Sequence, residues 1–352
     1  MELFQTTDTA GHEQVLFCND QASGLKAIIA IHDSRLGAAM GATRLWPYEN
    51  EVAALTDALR LSRGMTYKAA CANIPMGGGK AVIIAKPEQK TCELLQAYGR
   101  FIERLNGRFI TGQDINLTPQ DVRHINRETQ YVVGTQEKSG GPAPVTAIGV
   151  LLGMKAAAKF RLGAENLKGL TVAVQGLGNV GHNLCDWLHR NGAKLFITDI
   201  NRAKVSKIAR LYNATPVEPD EIYGLDVDIF APCAMGAILN SQTIPQIKAG
   251  IIAGCANNQL EDEKVHGEML TDKGILYCPD YVINAGGLIN VYHELIGYNE
   301  KKAISHVHSI HDTLLELFHK AKIAGITTHQ ASMQLAEERI IKAEQAQLLA
   351  TA

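Results

Sequence analysis

Two lysines in an apolar setting are the first candidates for chemistry. Lys68 and Lys80 are separated almost entirely by apolar and small residues. Either lysine alone would be a solvated surface charge, but burial and the repulsion between two like charges both favour the loss of one proton. A lysine whose pKa falls toward neutrality can act as a general base. The spacing therefore predicts a catalytic amine in this part of the chain.

Three glycines stand directly before the second lysine. Gly77, Gly78 and Gly79 lead into Lys80, which resembles the end of a phosphate-binding P-loop. Ala81 follows where that loop needs a hydroxyl to bind magnesium, which argues against a nucleoside triphosphatase. We expect the glycines instead to bring the backbone close to a ligand, with the lysine projecting into the site.

A carboxylate, Asp114, ends a predicted strand over residues 108–114. Strand alternation places it on one face with Ile110 and Gly112. An apolar side chain, a gap and a carboxylate on one face suit a pocket that holds an apolar group beside a reacting centre. The alternative is that Asp114 caps the turn that follows it.

The most specific motif is a strand over residues 171–175 that runs into Gly176-x-Gly178-x-x-Gly181. Gly176 allows the tight turn, Gly178 lets a pyrophosphate approach the backbone, and Gly181 lets the following helix pack on the strand. The N-terminus of that helix presents free N–H groups to the phosphates. The residues predicted at this part of the dinucleotide site are Gly176, Gly178, Asn179, Val180 and Gly181.

An acid closes the motif at the end of the next predicted strand, over residues 194–198. Asp199 can accept hydrogen bonds from ribose hydroxyls. Its charge would repel a 2′-phosphate, so the predicted cofactor is NAD rather than NADP. Arg202 nearby weakens that preference.

Asparagines follow two later strands of the same half. Asn257 and Asn258 come after a strand over 251–254, and Asn284 comes after one over 275–278. Ligands bind at the carboxyl ends of strands in open parallel sheets. Amide side chains there suit a carboxamide, a ribose or a substrate carboxylate. Turn formation by asparagine is the alternative.

Composition bounds the class of protein. A chain of 352 residues predicts two domains, and 46% hydrophobic residues with a net charge of −2 is typical of a globular protein. The absence of a long basic tract argues against nucleic acid and anionic membranes as partners. No signal peptide and no apolar run of membrane-spanning length is recognised, so a cytoplasmic location is expected. The cysteines are scattered and never form CxxC, so neither disulfides nor a metal site is predicted; they are Cys18, Cys71, Cys92, Cys185, Cys233, Cys255 and Cys278.

The elements that must position these residues alternate between strand and helix, which predicts an α/β fold. The breaker cluster SGGPAP at 139–144 marks a hinge. We predict a first domain over 1–140, completed by C-terminal helices over about 325–352, and a second over 141–324. Strands are predicted at 25–32, 80–85, 108–114, 171–175, 194–198, 228–231, 251–254 and 275–278; helices are predicted at 51–63, 91–105, from 118, at 145–160 and 180–190, and through most of 285–346.

Seven segments, in order along nearly the whole chain, resemble the glutamate, leucine, phenylalanine and valine dehydrogenases. They read GMTYK, GGGKAV, GQDIN, GGPAPVTAIGV, VAVQGLGNVG, GCANNQL and PDYVINAGGLINV. The resemblance implies an N-terminal substrate domain with a mixed sheet, a C-terminal Rossmann domain, and an active site in the cleft between them. It also implies reversible oxidative deamination of an L-amino acid to a 2-oxo acid and ammonia, by a homo-oligomer for which a dimer is favoured.

The resemblance also assigns roles. Lys80 corresponds to the lysine that activates water or the amine, and Lys68 to the lysine that holds the substrate carboxylate. Asp114 corresponds to the acid that moves protons to and from nitrogen. Thr146 corresponds to the residue that contacts the nicotinamide. A dinucleotide-binding protein without catalysis is the alternative, and the presence of all three catalytic groups argues against it.

The side-chain pocket is the less specific part of the prediction. Glutamate-specific relatives bind the distal carboxylate with a lysine and a serine, where this chain has Met40 and Val291. Ala69 and Gly112 are small where leucine-type relatives carry more bulk, so we predict L-tryptophan, converted to indole-3-pyruvate, with phenylalanine, leucine and valine as alternatives. Leu288 and Tyr292 share a helical face with Val291, and ordinary core packing is the alternative. The predicted substrate contacts are Met40, Gly41, Lys68, Ala69, Ile74, Ile110, Asn258, Asn284, Leu288, Val291 and Tyr292.

Overall fold

The computed structural model describes residues 11–134 and 139–351. The chain forms two compact units. The first comprises Met1–Lys138, Glu294–Gly297 and Ala336–Ala352, and the second comprises Ser139–His293 and Tyr298–Leu335. The predicted domain limits stay a prediction.

The first unit is built on a mixed six-stranded sheet in the order β1-β2-β5-β3-β6, with β4 also paired to β5. β1, β2 and β5 pair antiparallel, whereas β3 pairs parallel with both β5 and β6, and β4 pairs parallel with β5. The mixed sheet confirms the expectation for this half. The strands are β1 Gln14–Asp20, β2 Leu25–Asp33, β3 Ala39–Met40, β4 Thr43–Trp46, β5 Gly77–Ile84 and β6 Phe109–Ile110; the helices are α1 Glu51–Cys71, α2 Cys92–Glu103 and α3 Pro119–Asn126.

Helix α1 is longer than predicted. It begins after Asn50, whose side chain accepts a hydrogen bond from the N–H of Ala53, and it continues through Gly64 to Cys71. The sequence prediction ended it at residue 63. The helix persists because its later turns pack on β5: a Cβ on Gly78 would lie 2.1 Å from the Thr66 hydroxyl.

At each of the three glycines before Lys80, other atoms of the protein occupy the space that a side chain would need. This corrects the expectation that these glycines face a ligand. A Cβ on Gly77 would lie 2.2 Å from the carbonyl oxygen of Asp33, and one on Gly79 would lie 2.8 Å from the Phe109 ring. Together with the contact at Gly78, these approaches show that the glycines let α1 and the neighbouring strands close on β5.

The second unit contains a six-stranded sheet in the order β12-β11-β10-β7-β8-β9, with every pair parallel. This is the arrangement of a dinucleotide-binding Rossmann sheet, with a crossover at β7. The strands are β7 Thr171–Gln175, β8 Lys194–Thr198, β9 Thr215–Pro216, β10 Ile229–Pro232, β11 Ile251–Ile252 and β12 Leu276–Tyr277; the helices are α4 Pro142–Leu162, α5 Asn179–Arg190, α6 Arg202–Tyr212, α7 Val265–Asp272, α8 Asp280–Ile283 and α10 Glu300–Ala324. Two further helices, α9 Gly286–Leu295 and α11 Thr328–Thr351, begin in the second unit and end in the first.

Several predicted strands are shorter in the structure. The strand predicted over 108–114 is β6 at Phe109–Ile110, followed by single bridges at Thr111 and Gln113. β11 and β12 likewise keep two residues each. The sequence pattern could not show these ends, because a strand stops where its neighbours stop pairing with it rather than where the apolar residues stop.

Helix α4 corrects the expectation that no run reaches membrane-spanning length. Among the described residues it is the one helix long and apolar enough for that by length and composition, and 67% of its most apolar stretch is buried inside the protein. Gly153 lies against Ile283 and Leu314 so closely that an added Cβ would come within 2.8 Å of both side chains. Such burial is that of a core helix.

Candidate active site

Lys80 and Asp114 are brought into contact within the first unit. Lys80 lies on β5 with its side chain 7% exposed, and its ammonium group donates a short hydrogen bond to Oδ2 of Asp114. Asp114 follows β6 in a turn closed by a hydrogen bond from the N–H of Leu117 to its carbonyl oxygen, and its side chain is 23% exposed. Two residues 34 positions apart thus form one nearly buried ion pair.

A third charge, which the sequence analysis missed, belongs to the same cluster. The Nε atom of Arg44 lies 3.4 Å from Oδ2 of Asp114, and its Nη1 atom donates to Asp57 at 2.9 Å. Asp57 also accepts a hydrogen bond of 2.5 Å from the Tyr48 hydroxyl. The available signal was the alternation in β4, where Thr43 and Leu45 are fully buried and the arginine faces the other side.

The electrostatics of the cluster shift the pKa values of both Lys80 and Asp114. Burial lowers the pKa of Lys80 below its ordinary value; the charge of Arg44 adds to this effect, and Asp114 opposes it. Burial acts to raise the pKa of Asp114, but the charges of Lys80 and Arg44 outweigh it and hold that pKa below its usual range. The direction of the shift at Lys80 agrees with the expectation, and Arg44 is a cation that contributes to it.

Lys68 lies in the last turn of α1 and is partly exposed. The end of this helix is held by Arg339, which donates to the carbonyl oxygens of Ala70 (3.2 Å) and Cys71 (2.7 Å). Tyr67 donates to Glu337 at 3.0 Å. These bonds fix the turn that carries the lysine.

Apolar candidates adjoin this cluster in the sheet. Met40 on β3 is 2% exposed and pairs with Gly78 on one side and Ile110 on the other. Gly41 follows it, with its N–H bonded to the Ile110 carbonyl at 3.0 Å. Two further predicted contacts, Ala69 near the end of α1 and Ile74 just after it, are buried. The N–H of Ile74 donates to the carbonyl of Ala69 at 2.9 Å.

Gly112 faces another part of the chain. A Cβ there would lie 3.2 Å from Cγ2 of Val133 and 3.3 Å from its carbonyl oxygen. The absence of a side chain at Gly112 therefore makes room for Val133. This position gives little support to the prediction of a larger substrate pocket.

The glycine motif of the second unit has the geometry of a phosphate cradle. Gly176 has φ +101° and an added Cβ would lie 2.7 Å from Ala234, while one on Gly181 would lie 2.1 Å from the carbonyl oxygen of Gly176. A Cβ on Gly178, by contrast, would meet no atom within 4 Å. Helix α5 begins at Asn179 without a side-chain cap. The open space at Gly178 lies in front of the free N–H groups in the first turn of α5, and it fits a pyrophosphate.

Asp199, the acid of the motif, is hydrogen-bonded to the glycine-rich loop. Oδ2 of Asp199 accepts a hydrogen bond of 2.7 Å from the N–H of Leu177, and Oδ1 accepts one of 2.8 Å from the N–H of Asn201. A carboxylate can accept further bonds from ribose hydroxyls. Arg202 pairs with Glu218 at 3.3 Å, both side chains being well exposed.

Asn257 and Asn258 follow β11, whereas Asn284 ends helix α8, and two of the three asparagines are joined. Nδ2 of Asn284 donates to the carbonyl oxygen of Cys255 (3.1 Å) and to Oδ1 of Asn257 (2.8 Å). Oδ1 of Asn284 is buried and has no hydrogen-bond partner within the described part of the protein. A buried acceptor without a partner is costly, so it suits a donor on a bound ligand. Asn258 is exposed, with φ +50°.

Thr146 and the face of α9 complete the predicted set. Thr146 lies in the first turn of α4, bonded to the Pro142 carbonyl at 2.8 Å, and a Cβ on Gly287 would lie 2.7 Å from its hydroxyl. Val291, Leu288 and Tyr292 are partly exposed, and the Tyr292 ring packs edge-on against two histidine rings. None of the three is a fully buried core residue.

Comparison with known proteins places this geometry in a family. A model described as "Glu/Leu/Phe/Val dehydrogenase, dimerisation domain" matches residues 12–138, and one described as "Glutamate/Leucine/Phenylalanine/Valine dehydrogenase" matches residues 139–201 and 195–347. The chain belongs to the glutamate/leucine/phenylalanine/valine dehydrogenase family. It is therefore an NAD-dependent amino-acid dehydrogenase, with an N-terminal dimerisation and substrate domain and a C-terminal NAD-binding domain.

Individual relatives cover almost all of the enzyme. The chain is 66% identical over 340 residues to an L-tryptophan dehydrogenase of Nostoc punctiforme, covering 97% of this chain and 96% of that protein. It is 52% identical over 344 residues to a leucine dehydrogenase of Bacillus cereus, covering 97% and 94%. The crystal structure of L-tryptophan dehydrogenase from Nostoc punctiforme superposes with a TM-score of 0.88 at 63% identity, covering 97% of this chain and 99% of that one.

Proposed function

We propose that the enzyme catalyses the reversible oxidative deamination of L-tryptophan to indole-3-pyruvate and ammonia. The observation that carries this proposal is the 66% identity to an L-tryptophan dehydrogenase over nearly the whole chain. In the forward direction L-tryptophan, NAD⁺ and water give indole-3-pyruvate, ammonium, NADH and one proton.

Lys68 binds the substrate carboxylate in this mechanism. It is partly exposed in the last turn of helix α1, the turn that Arg339 holds in place. A carboxylate bound there neutralises its charge and orients the substrate.

Lys80 and Asp114 carry out the proton transfers. Bound NAD⁺ supplies the hydride acceptor for the Cα hydrogen, which leaves a substrate iminium. Lys80 accepts a proton from the water that attacks the iminium carbon, a role that its lowered pKa supports. Asp114, in hydrogen-bond contact with Lys80, passes a proton to the nitrogen as the carbinolamine collapses and ammonia leaves.

The side-chain pocket excludes a second carboxylate. Met40 is almost fully buried and apolar, so a glutamate side chain beside it would leave a buried charge without a partner, which is costly. An indole ring has no such cost. The roles of Met40 and Val291 in specificity are part of this proposal.

We propose further that the enzyme is a homodimer in the cytoplasm. The match of the first unit to a dimerisation domain supports self-association, and the seven free cysteines suit a reducing compartment. Light scattering on the purified protein tests the dimer; a higher oligomer would overturn it.

The test of substrate is a comparison of kcat/KM for L-tryptophan, L-phenylalanine, L-leucine, L-valine and L-glutamate, followed by NADH absorbance at alkaline pH. We expect tryptophan to exceed leucine by at least about tenfold. A preference for leucine or valine would overturn the tryptophan assignment, while reduction of NAD⁺ with none of the five would overturn the family activity in this chain.

A further inference from the structure

Two cysteines lie side by side at the ends of neighbouring strands of the second unit. β10 and β11 pair parallel, with Ile229 opposite Ile251 and Phe230 opposite Ile252. Cys233 directly follows β10, and Cys255 lies three residues after β11. The two segments are still joined there, since the N–H of Ala256 donates to the Pro232 carbonyl at 3.0 Å.

The two cysteines lie close together. The thiol of Cys255 donates to the carbonyl oxygen of Cys233, with Sγ 3.9 Å from that oxygen. Neighbouring strands run about 4.8 Å apart, and a disulfide spans a Cα separation of roughly 4.4–6.8 Å, so the ends of two neighbouring strands lie at a separation that a disulfide can span. Both cysteines are partly exposed, whereas Cys185, a third thiol close to Cys233, is buried.

The pair adjoins the cofactor site on two sides. Cβ of Cys233 lies 3.4 Å from where a Cβ on Gly181 would be, and the next residue, Ala234, is the one that closes on Gly176. On the other side, the carbonyl of Cys255 accepts the hydrogen bond from Asn284. A change in the separation of the two cysteines would therefore move atoms that contact the glycine-rich loop and the carbonyl group to which Asn284 donates.

We propose that Cys233 and Cys255 are a modification site: a peroxide oxidises them to a reversible disulfide, and the disulfide weakens the binding of NAD. The cytosolic setting expected from the sequence keeps the pair reduced until oxidant is present.

The chemistry proceeds in two steps. The Cys233 thiol attacks the peroxide, giving a sulfenic acid and an alcohol, or water from hydrogen peroxide. The Cys255 sulfur then displaces water from that sulfenic acid and loses its proton, forming the S–S bond. A hydrogen bond with Cys233, together with burial, raises the pKa of Cys255 and so lowers its thiolate fraction, and we assign Cys255 the resolving role.

The expected effect on the cofactor follows from the packing. Forming the bond draws the two sulfurs to about 2 Å apart. Ala234 cannot move closer to Gly176, because a Cβ added to Gly176 would already lie 2.7 Å from it. We expect NADH affinity to fall about tenfold, within the usual range for coupled sites. By reciprocity bound NADH protects the thiols by the same factor, which raises the reduction potential of the disulfide by about 30 mV for a tenfold effect.

The experiment uses the full-length enzyme and needs no substrate. Reduced protein is treated with hydrogen peroxide with and without NADH, and each sample is analysed by non-reducing peptide mass spectrometry and by fluorescence titration with NADH. We expect a linked Cys233–Cys255 peptide, an affinity loss of about tenfold that dithiothreitol reverses, and slower linkage when NADH is present. Cys255→Ser should bind NADH normally and lose the response to peroxide, while the matched control Cys185→Ser should keep it.

Three results would overturn the proposal. They are a Cys185–Cys233 or intersubunit linkage in place of the expected peptide, no linkage at all, and linkage that leaves NADH affinity unchanged. Since neither readout involves an amino acid, a wrong substrate assignment would leave these results unaffected.

Discussion

Replacing Asp114 with asparagine tests whether the ion pair with Lys80 sets the proton affinity of the catalytic amine. Lys80 acts as a base only when neutral, so activity rises with pH through its pKa. Asp114 raises that pKa by charge and hydrogen bonding. Its removal lowers the pKa of Lys80, and the acid limb of the kcat/KM profile should move to lower pH.

The magnitude follows from distance and burial. Two unit charges about 4 Å apart interact by about 4 kcal/mol at an effective dielectric constant of about 20, and removing one partner of a buried pair costs about 3–5 kcal/mol. The two side chains are 7% and 23% exposed, so solvent screens the pair little. Lys80 escapes much of this cost by losing its proton, so the interaction should appear mainly as the change in its titration. The plateau kcat should fall about 10²–10⁴-fold through loss of the proton relay.

The matched control changes the opposite charge. Arg44 lowers the pKa of Lys80, so Arg44→Gln should move the same acid limb to higher pH. Its effect should be the smaller of the two, because Asp114 contacts the ammonium group directly. Steady-state profiles for wild type and both variants give the comparison, and the limb that belongs to the substrate amine should not move in any of them.

Two outcomes would refute the reasoning. An acid limb that stays in place in Asp114→Asn would mean that Lys80 is not the titrating base. A shift in the same direction in both variants would mean that the limb reports a general disturbance of the site rather than these two charges.

The remaining predictions concern single side chains. Lys80→Ala should reduce turnover at least about 10³-fold yet leave NADH binding intact in a fluorescence titration; surviving activity would overturn the mechanism. Gly178→Ala should weaken NADH binding but change the free energy of unfolding by less than about 0.5 kcal/mol, whereas Gly181→Ala should destabilise the protein because its methyl would lie 2.1 Å from the Gly176 carbonyl. Gly78→Ala, whose methyl would lie 2.1 Å from a hydroxyl on α1, should cost about 1–3 kcal/mol in thermal or urea unfolding.

Much of the second unit could be predicted from sequence because its signals are local. The strand, the glycine spacing and the acid after the next strand all fall within 171–199, and each has a fixed geometric purpose. Strand lengths could not be predicted, since β11 and β12 end after two paired residues while their apolar runs continue.

Two members of the site in the first unit were predictable from the sequence, but the third member and the contacts among them were not. The sequence identified Lys80 and Asp114 as candidates, yet nothing in the pattern joined them as an ion pair or brought Arg44 to the same carboxylate. Likewise, Cys233 and Cys255 lie 22 positions apart in the sequence, and only the folded chain shows that they are neighbours. Contacts between distant segments depend on sheet order, which local periodicity does not encode.

The glycines of the two units show how packing separates a structural motif from a binding motif. Gly77–Gly79 read like a phosphate loop, but each is closed by atoms of the protein itself, and their effect is to seat Lys80 in a buried position. Of the three glycines in the motif of the second unit, Gly176 and Gly181 are closed in the same way and Gly178 leaves space. The same residue type therefore positions a base in one unit and admits a phosphate in the other. What distinguishes the two uses is whether the volume that a Cβ would fill is already taken, a property of the folded chain rather than of the motif.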